Sequence, residues 1–233
     1  MKTVIVTGGN SGIGLGISKF FYENNYFVIV GGRKDYGLEK KFSKNFIFKS
    51  LDLRDEKSHQ KLVDIALNKT GKINCYINNI GLSAWRPIDS VDNEFLDNMI
   101  STNLKSAFWG AKAAVNFMKK GDTIINISSI AGKRGSSNNS VYVATKFAMN
   151  GLTQSLAKEL GPKGIRVNAV CPVLVETEGL SNALKDKYSP AKGNLDNFFD
   201  NFIKSNSALK RLPTKKEVAS MCLFLASSNS SAI

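Results

Sequence analysis

Short, nearly unbroken runs of β-branched and apolar residues alternate along the chain with longer stretches whose apolar positions recur every three or four residues. The runs at 3–7, 26–31, 46–51, 72–77, 121–128 and 164–170 predict strands. Between them, Ile13, Ile17, Phe20 and Phe21 mark one helical face, and Leu104, Phe108, Ala111, Val115 and Met118 mark another. Val4-Ile5-Val6 and Val28-Ile29-Val30 have no polar side to turn to water, so they read as strands buried on both faces. Such strands joined by helices predict a doubly wound parallel sheet in a three-layer α/β/α arrangement. No repeat, low-complexity tract or Pro/Gly linker divides residues 1–233, which read as a single domain.

One region leaves the alternation. Residues 173–212 hold no strand candidate and are too many for a plain connection. Within them Leu195, Phe198, Phe199, Phe202 and Ile203 fall at helical spacing. A helix with that much aromatic area either packs into the core or forms a lid over a substrate, and periodicity alone does not choose. Beyond it, Thr214-Lys215-Lys216-Glu217 has the form of a capping box opening a last helix, with Val218, Met221, Cys222 and Leu225 inward.

Composition narrows the class. The formal net charge of +13 raises nucleic-acid binding, but the charge is mostly scattered lysine without a basic run or interleaved aromatics. A lysine-rich soluble surface is the reading adopted, with attraction of an acidic partner as a further use of the charge. Cys75, Cys171 and Cys222 are odd in number, none lies in a CxxC, and His59 is the single histidine. Buried free thiols and no metal site are expected. The N-terminus reaches Gly8-Gly9 too soon for a secretory h-region, and no segment approaches the roughly 18 apolar residues that span a bilayer. A cytoplasmic chain with no membrane partner is expected.

The first strand candidate runs straight into Thr7-Gly8-Gly9-Asn10-Ser11-Gly12-Ile13-Gly14, and a helix follows. Gly8 permits a sharp turn, Gly12 a close approach of backbone to ligand, and Gly14 tight packing of helix on strand. The amides of this turn and of the helix start, from Gly8 through Asn10, Ser11, Gly12, Ile13 and Gly14, suit a pyrophosphate. The spacing is GxxxGxG, not the more familiar GxGxxG.

Tyr142 and Lys146 stand four apart on a helical pattern, in line with Met149, Leu152, Leu156 and Leu160. That stripe faces the sheet, and a lysine on a buried stripe is unusual unless paired. A surface Tyr–Lys pair is the bland alternative. Chemistry makes the pair notable: a phenol with a pKa near 10 is poorly matched to proton transfer at neutral pH, and a nearby cation lowers it.

The glycine turn, Asn78-Asn79-Ile80-Gly81 and Tyr142-x-x-x-Lys146, in this order and spacing, resemble the short-chain dehydrogenase/reductase family over essentially the whole chain. The resemblance implies a Rossmann-type fold, a nicotinamide cofactor and a homotetramer or homodimer. It also implies roles. Ser129, which keeps the family's 13-residue separation from Tyr142, would hydrogen-bond the substrate oxygen, with Ser128 as its rival. Lys146 would also bond the nicotinamide ribose. Asn103 would hold a water near the lysine, although its local sequence equally suits a helix cap. Asp52 with Leu53 would contact the adenine, Asn79 and Gly81 would line the cofactor, and Pro172 and Thr177 would border the nicotinamide. Asp52 could instead be an ordinary turn aspartate.

Cofactor choice turns on the second strand's end, Val30-Gly31-Gly32-Arg33-Lys34. Gly32 stands where an NAD-preferring relative would carry an acid, and Arg33 suits a 2′-phosphate, so NADP(H) is favoured over NAD(H). Asp35 lies too late to serve as the ribose acid, and a solvated turn is the plainer reading of Arg33.

Three departures from the family pattern stand out: Ile80 in the asparagine motif, Val173 where glycine usually follows Pro172, and an ending at Ile233 before the family's last strand. Truncation is the expectation for the last. The function read from these features is an NADP(H)-dependent oxidoreductase interconverting a carbonyl and a secondary alcohol. Its substrate is a small molecule, with a 3-ketoacyl thioester on an acidic carrier as a candidate. The competing readings are a catalytically weak NADP(H)-binding regulatory protein and a nucleic-acid-binding protein.

Overall fold

The computed structural model describes residues 1–42 and 44–233. Six parallel strands form one sheet in the order β3-β2-β1-β4-β5-β6. They are β1 (Lys2–Thr7), β2 (Tyr26–Gly32), β3 (Phe46–Ser50), β4 (Cys75–Asn78), β5 (Thr123–Ile127) and β6 (Arg166–Val170). Each matches a strand candidate to within a few residues. Because the β1–β2 pairing runs in register from Lys2↔Tyr26 to Thr7↔Gly31, the two central strands end at one level.

The unbroken apolar strands are explained by a core on each side. Val4, Val6, Val28, Val30 and Ile77 pack against helices α1 (Gly12–Glu23) and α9 (Lys215–Leu225), through Ile17, Phe21, Ala219 and Cys222. On the other face Ile5, Ile29, Tyr76 and Ile124 meet Leu62 and Val63 of α3 (Glu56–Thr70), Ala111 and Ala114 of α5 (Ser106–Val115), and Leu160 of α6 (Ser140–Leu160). Alternate residues of one strand thus enter different layers, leaving no position for a polar face. A short helix, α2 (Leu38–Lys41), lies between β2 and β3. Phe108 departs from expectation: it is exposed, because α5 approaches its neighbours through the small Ala107, Gly110, Ala111 and Ala114. Cys75 and Cys222 are buried, as expected, whereas Cys171 is only half-buried.

Residues 173–212 carry two helices, α7 (Glu178–Leu184) and α8 (Leu195–Asn206). None of the α8 residues is fully buried. Its aromatic side instead joins Leu184, Ala191 and Trp85 in a cluster separate from both sheet cores. The capping box at α9 is present: the Thr214 side chain accepts from the Glu217 amide while the Glu217 carboxylate accepts from the Thr214 amide. No described helix is long and apolar enough to cross a membrane.

His59 of α3 is wholly buried, with Nε2 2.8 Å from the Leu53 carbonyl and Nδ1 2.8 Å from the Tyr76 hydroxyl. A carbonyl only accepts, so Nε2 carries the proton and Nδ1 accepts from Tyr76. Burial holds the imidazole pKa below 6.5, outweighing the carbonyl bond that favours the charged ring. The folded chain therefore takes up this proton less readily than the unfolded one. Stability from this source is complete above pH 6.5 and is lost as pH falls below that value. Urea unfolding of wild type and His59→Gln should show the wild-type advantage shrinking between pH 7.5 and 5.5; an advantage that stays constant would refute the neutral ring.

Candidate functional site

The order of the sheet reverses between β1 and β4, and at such a switch point the loops at the strands' carboxyl ends diverge to leave a crevice. The candidate cofactor and catalytic residues follow the carboxyl ends of the strands or lie on the turns and helices after them. After β1 the chain turns at Gly8 (φ 63°) and Gly12 (φ 53°), both left-handed. A Cβ at Gly14 would overlap the Gly8 carbonyl and the Asn79 amide, so the close packing expected of Gly14 is against the turn itself. Ser11 precedes α1 without capping it through its side chain, which leaves the first-turn N–H groups to an anion. Asn79 braces the turn: its amide nitrogen donates to Thr7 O at 2.8 Å and its backbone N–H to Thr7 Oγ1 at 2.9 Å. Thr7, a polar residue closing an apolar strand, is a brace that the sequence reading passed over.

At the end of β2, the side chain of Asn10 fills the space that a Cβ on Gly32 would need, and its Nδ2 donates to Lys34 O at 2.8 Å. An acidic side chain at Gly32 would therefore displace the Asn10 side chain from its bond to Lys34 O. Asp35 is committed elsewhere, accepting the Leu38 amide at 2.9 Å. Arg33 is exposed. Asp52 is held by Arg54, whose Nη2 lies 2.5 Å from Oδ2, and this bond keeps the carboxyl below its ordinary pKa. The Leu53 side chain is fully buried in the core against Gly31, and its carbonyl lies 2.8 Å from His59 Nε2.

Ser129 follows closely on β5; its hydroxyl accepts the Ala131 amide at 3.1 Å and, beside Tyr142, favours the ionised phenol. Ser128 is turned away, donating to the Lys146 carbonyl at 3.3 Å. Lys146 is 3% exposed and donates from Nζ to Ile127 O at 2.9 Å. That ammonium lies 5.7 Å from the centre of the Tyr142 ring. Burial pushes the lysine pKa down to about 8, with a smaller opposing influence from Cys171. Burial also raises the Tyr142 phenol, and Ser129 only partly offsets it. The net shift of the phenol is therefore upward, opposite to the expected lowering, with burial as its largest cause. Tyr142 is a neutral phenol at pH 7, suited to donating a proton.

Asn103 is neither at a helix start nor a cap. It lies in a π turn, Ser101–Lys105, between α4 (Asn93–Ile100) and α5. Its side chain is committed: Oδ1 accepts from Leu82 N at 2.7 Å, and Nδ2 donates to Leu82 O at 2.9 Å and Thr145 Oγ1 at 3.1 Å. Gly81 brings this group and the lysine together, since a Cβ there would lie 3.7 Å from Asn103 Oδ1 and 3.8 Å from Lys146 Nζ. Pro172 lies beside the serine, its carbonyl accepting the Ile130 amide at 2.9 Å. Thr177 faces Gly12, with Cγ2 3.6 Å from where a Cβ would be, while its hydroxyl caps α7. Val173 is partly exposed and has no left-handed φ, so the loop there does not require glycine. A cleft of about 880 Å³ opens between Val175, Glu176, α8 and the 210–216 segment, next to Thr177 in sequence.

The buried ammonium has a measurable signature. A lysine whose folded pKa is about 8 holds its proton less tightly than an unfolded one at 10.5, so the chain gains stability as pH rises through that window. Relative to Lys146→Met, wild type should gain roughly 3 kcal/mol between pH 8 and 10.5 in urea titrations. Parallel pH profiles would show that the ammonium is hydrated.

The family model described as short chain dehydrogenase matches residues 2–188. The chain is 34% identical to L-2,3-butanediol dehydrogenase of Corynebacterium glutamicum, over 98% of this chain and 93% of that protein. It is 33% identical to a 3-oxoacyl-(acyl-carrier-protein) reductase of Chlamydia muridarum, over 100% of this chain and 92% of that protein. Among solved structures, the aldohexose dehydrogenase of Thermoplasma acidophilum superposes with a TM-score of 0.89 at 28% identity, covering 100% of this chain and 89% of that one. With the switch-point crevice, the glycine turn and Tyr142 one turn from the buried Lys146, these matches place the chain in the short-chain dehydrogenase family of oxidoreductases.

Proposed function

We propose that the chain is an NADP(H)-dependent reductase that converts a ketone to a secondary alcohol with Tyr142 as the proton donor. The observation that carries this reading is the neutral phenol of Tyr142 beside Ser129, one helical turn from a buried ammonium 5.7 Å from its ring. The residues present fit a nicotinamide dinucleotide. The left-handed Gly8 and Gly12 and the α1 N-terminus would hold its pyrophosphate, and Arg33 its 2′-phosphate. Asn79, Gly81, Pro172 and Thr177 would border the nicotinamide end, and Asp52 with the Leu53 backbone the adenine end.

When bound, the reduced cofactor supplies the hydride. Ser129 orients the carbonyl oxygen by a hydrogen bond. Tyr142 Oη gives its proton to the oxygen as negative charge develops there. The Lys146 ammonium stabilises the phenolate left behind, and its proton makes good the loss. Asn103 takes part through its backbone, because its side chain is already engaged with Leu82 and Thr145.

Helices α7 and α8, clustered on Trp85 outside the sheet cores, suit a lid over the substrate. A 3-ketoacyl thioester on an acidic carrier is the substrate class that the charge of +13 favours, and one relative bears that activity in its name. The exposed rings of Phe108 and Phe147 support assembly as a homodimer or homotetramer. Three free cysteines suit a cytoplasmic setting.

Following NADPH oxidation over a panel of ketones and ketoacyl thioesters tests the reading; no turnover of any carbonyl would overturn it. Tyr142→Phe should lower kcat by about a thousandfold or more while NADPH binding, read by fluorescence, changes little. Arg33→Ala should cost about tenfold or more in kcat/KM for NADPH and leave NADH nearly unaffected. Equal losses with both cofactors would remove Arg33 from the phosphate site.

A further inference from the structure

Thr145 stands between Tyr142 and Lys146 on α6 and is 2% exposed. Its hydroxyl donates to the Tyr142 carbonyl at 2.7 Å and accepts from Asn103 Nδ2 at 3.1 Å. A hydroxyl has one proton, so the direction of both bonds is set. The same Asn103 amide grips both backbone groups of Leu82, at 2.7 and 2.9 Å. Leu82 lies in the 79–87 segment, which has no regular secondary structure and so no ladder to hold it. Further along, that segment is tied through the Arg86 amide to Asn138 O at 2.7 Å and carries Trp85 into the α7–α8 cluster. Gly81, beside Leu82, faces the Lys146 ammonium.

We infer that Thr145 is a positioning residue: its hydroxyl locks the Asn103 clamp to the catalytic helix and so fixes the Gly81–Leu82 wall against Tyr142 and Lys146. The inference rests on the reductase reading for its kinetic consequence, but not for its geometry. Three separate parts of the chain meet at the Asn103 amide: its own π turn, the 79–87 segment through Leu82, and α6 through the Thr145 hydroxyl. Without the hydroxyl, Asn103 Nδ2 keeps Leu82 O and Met99 Sδ as acceptors but loses its tie to α6, so the Asn103–Leu82 clamp is no longer held in register with Tyr142 and Lys146. The wall then shifts relative to the reacting groups, and displacements near 1 Å at such sites carry large rate penalties.

The test compares Thr145→Val, which keeps the shape and removes the hydroxyl, with Thr145→Ser, which keeps the hydroxyl. In Thr145→Val, kcat should fall by about tenfold or more while the KM for NADPH stays within about threefold. Water admitted beside Lys146 should move the alkaline limb of the kcat profile to higher pH. Amide hydrogen exchange of the segment containing Leu82 should quicken, and Thr145→Ser should recover most of each property. Unchanged exchange at Leu82, a kcat within about twofold of wild type, or equal damage in both variants would overturn the assignment. Should the wild-type chain turn over no carbonyl, the reductase reading fails, while the exchange measurement still decides the clamp.

Discussion

A lysine ammonium closed off from water beneath a parallel sheet's edge is costly, and much of this chain's local architecture bears on keeping it there. Among the described residues the Lys146 ammonium has one hydrogen bond, to the carbonyl that ends β5, and burial depresses its pKa to about 8. Desolvating such a charge disfavours it by several kcal/mol unless something repays the loss. In the proposed reaction the repayment is functional. The ammonium is held where a phenolate would form, and the phenol itself is kept neutral by the same dry surroundings. One environment therefore moves the two pKa values apart, lysine downward and tyrosine upward, which makes the ammonium the stronger acid of the pair and able to return a proton to a phenolate.

That arrangement depends on the fold before it depends on any one residue. The sheet brings the ends of β1, β4 and β5 to one edge, and α6 crosses that edge with Tyr142 and Lys146 on its inner side. The glycine turn supplies the opposite wall. It can pack so closely on Asn79 only because Gly14 has no Cβ. The π turn at Ser101–Lys105 completes the enclosure by aiming Asn103 at Leu82 instead of along the regular helix. Such turns insert one residue into a helix and re-aim a side chain, and they are frequent at functional sites.

Much of the fold was legible in the sequence because strand burial and helix amphipathicity are local patterns. The six apolar runs, the turn after β1 and the capping box at Thr214 each depend on neighbours within a few positions. What escaped depends on distant partners. Asn103 could not be told from a helix cap, since a π turn leaves no distinctive residue spacing and the amide's partners, Leu82 and Thr145, lie far along the chain. Leu53 follows an apparently cofactor-facing aspartate, yet its side chain turns inward to Gly31 and Leu62. The direction of the Tyr142 shift required knowing how much water reaches the hydroxyl. Periodicity placed α8, but its packing on Trp85 outside both cores needed three dimensions.

The most direct test of this account is the titration of Lys146 itself, read from the side-chain carbon next to its ammonium in a lysine-labelled chain and assigned by the loss of that signal in Lys146→Met. A midpoint near 8, well apart from the surface lysines, is the result that a buried ammonium paired with a neutral phenol requires. A midpoint at or above the ordinary 10.5 would contradict it, and with it the proton-transfer role assigned to the pair.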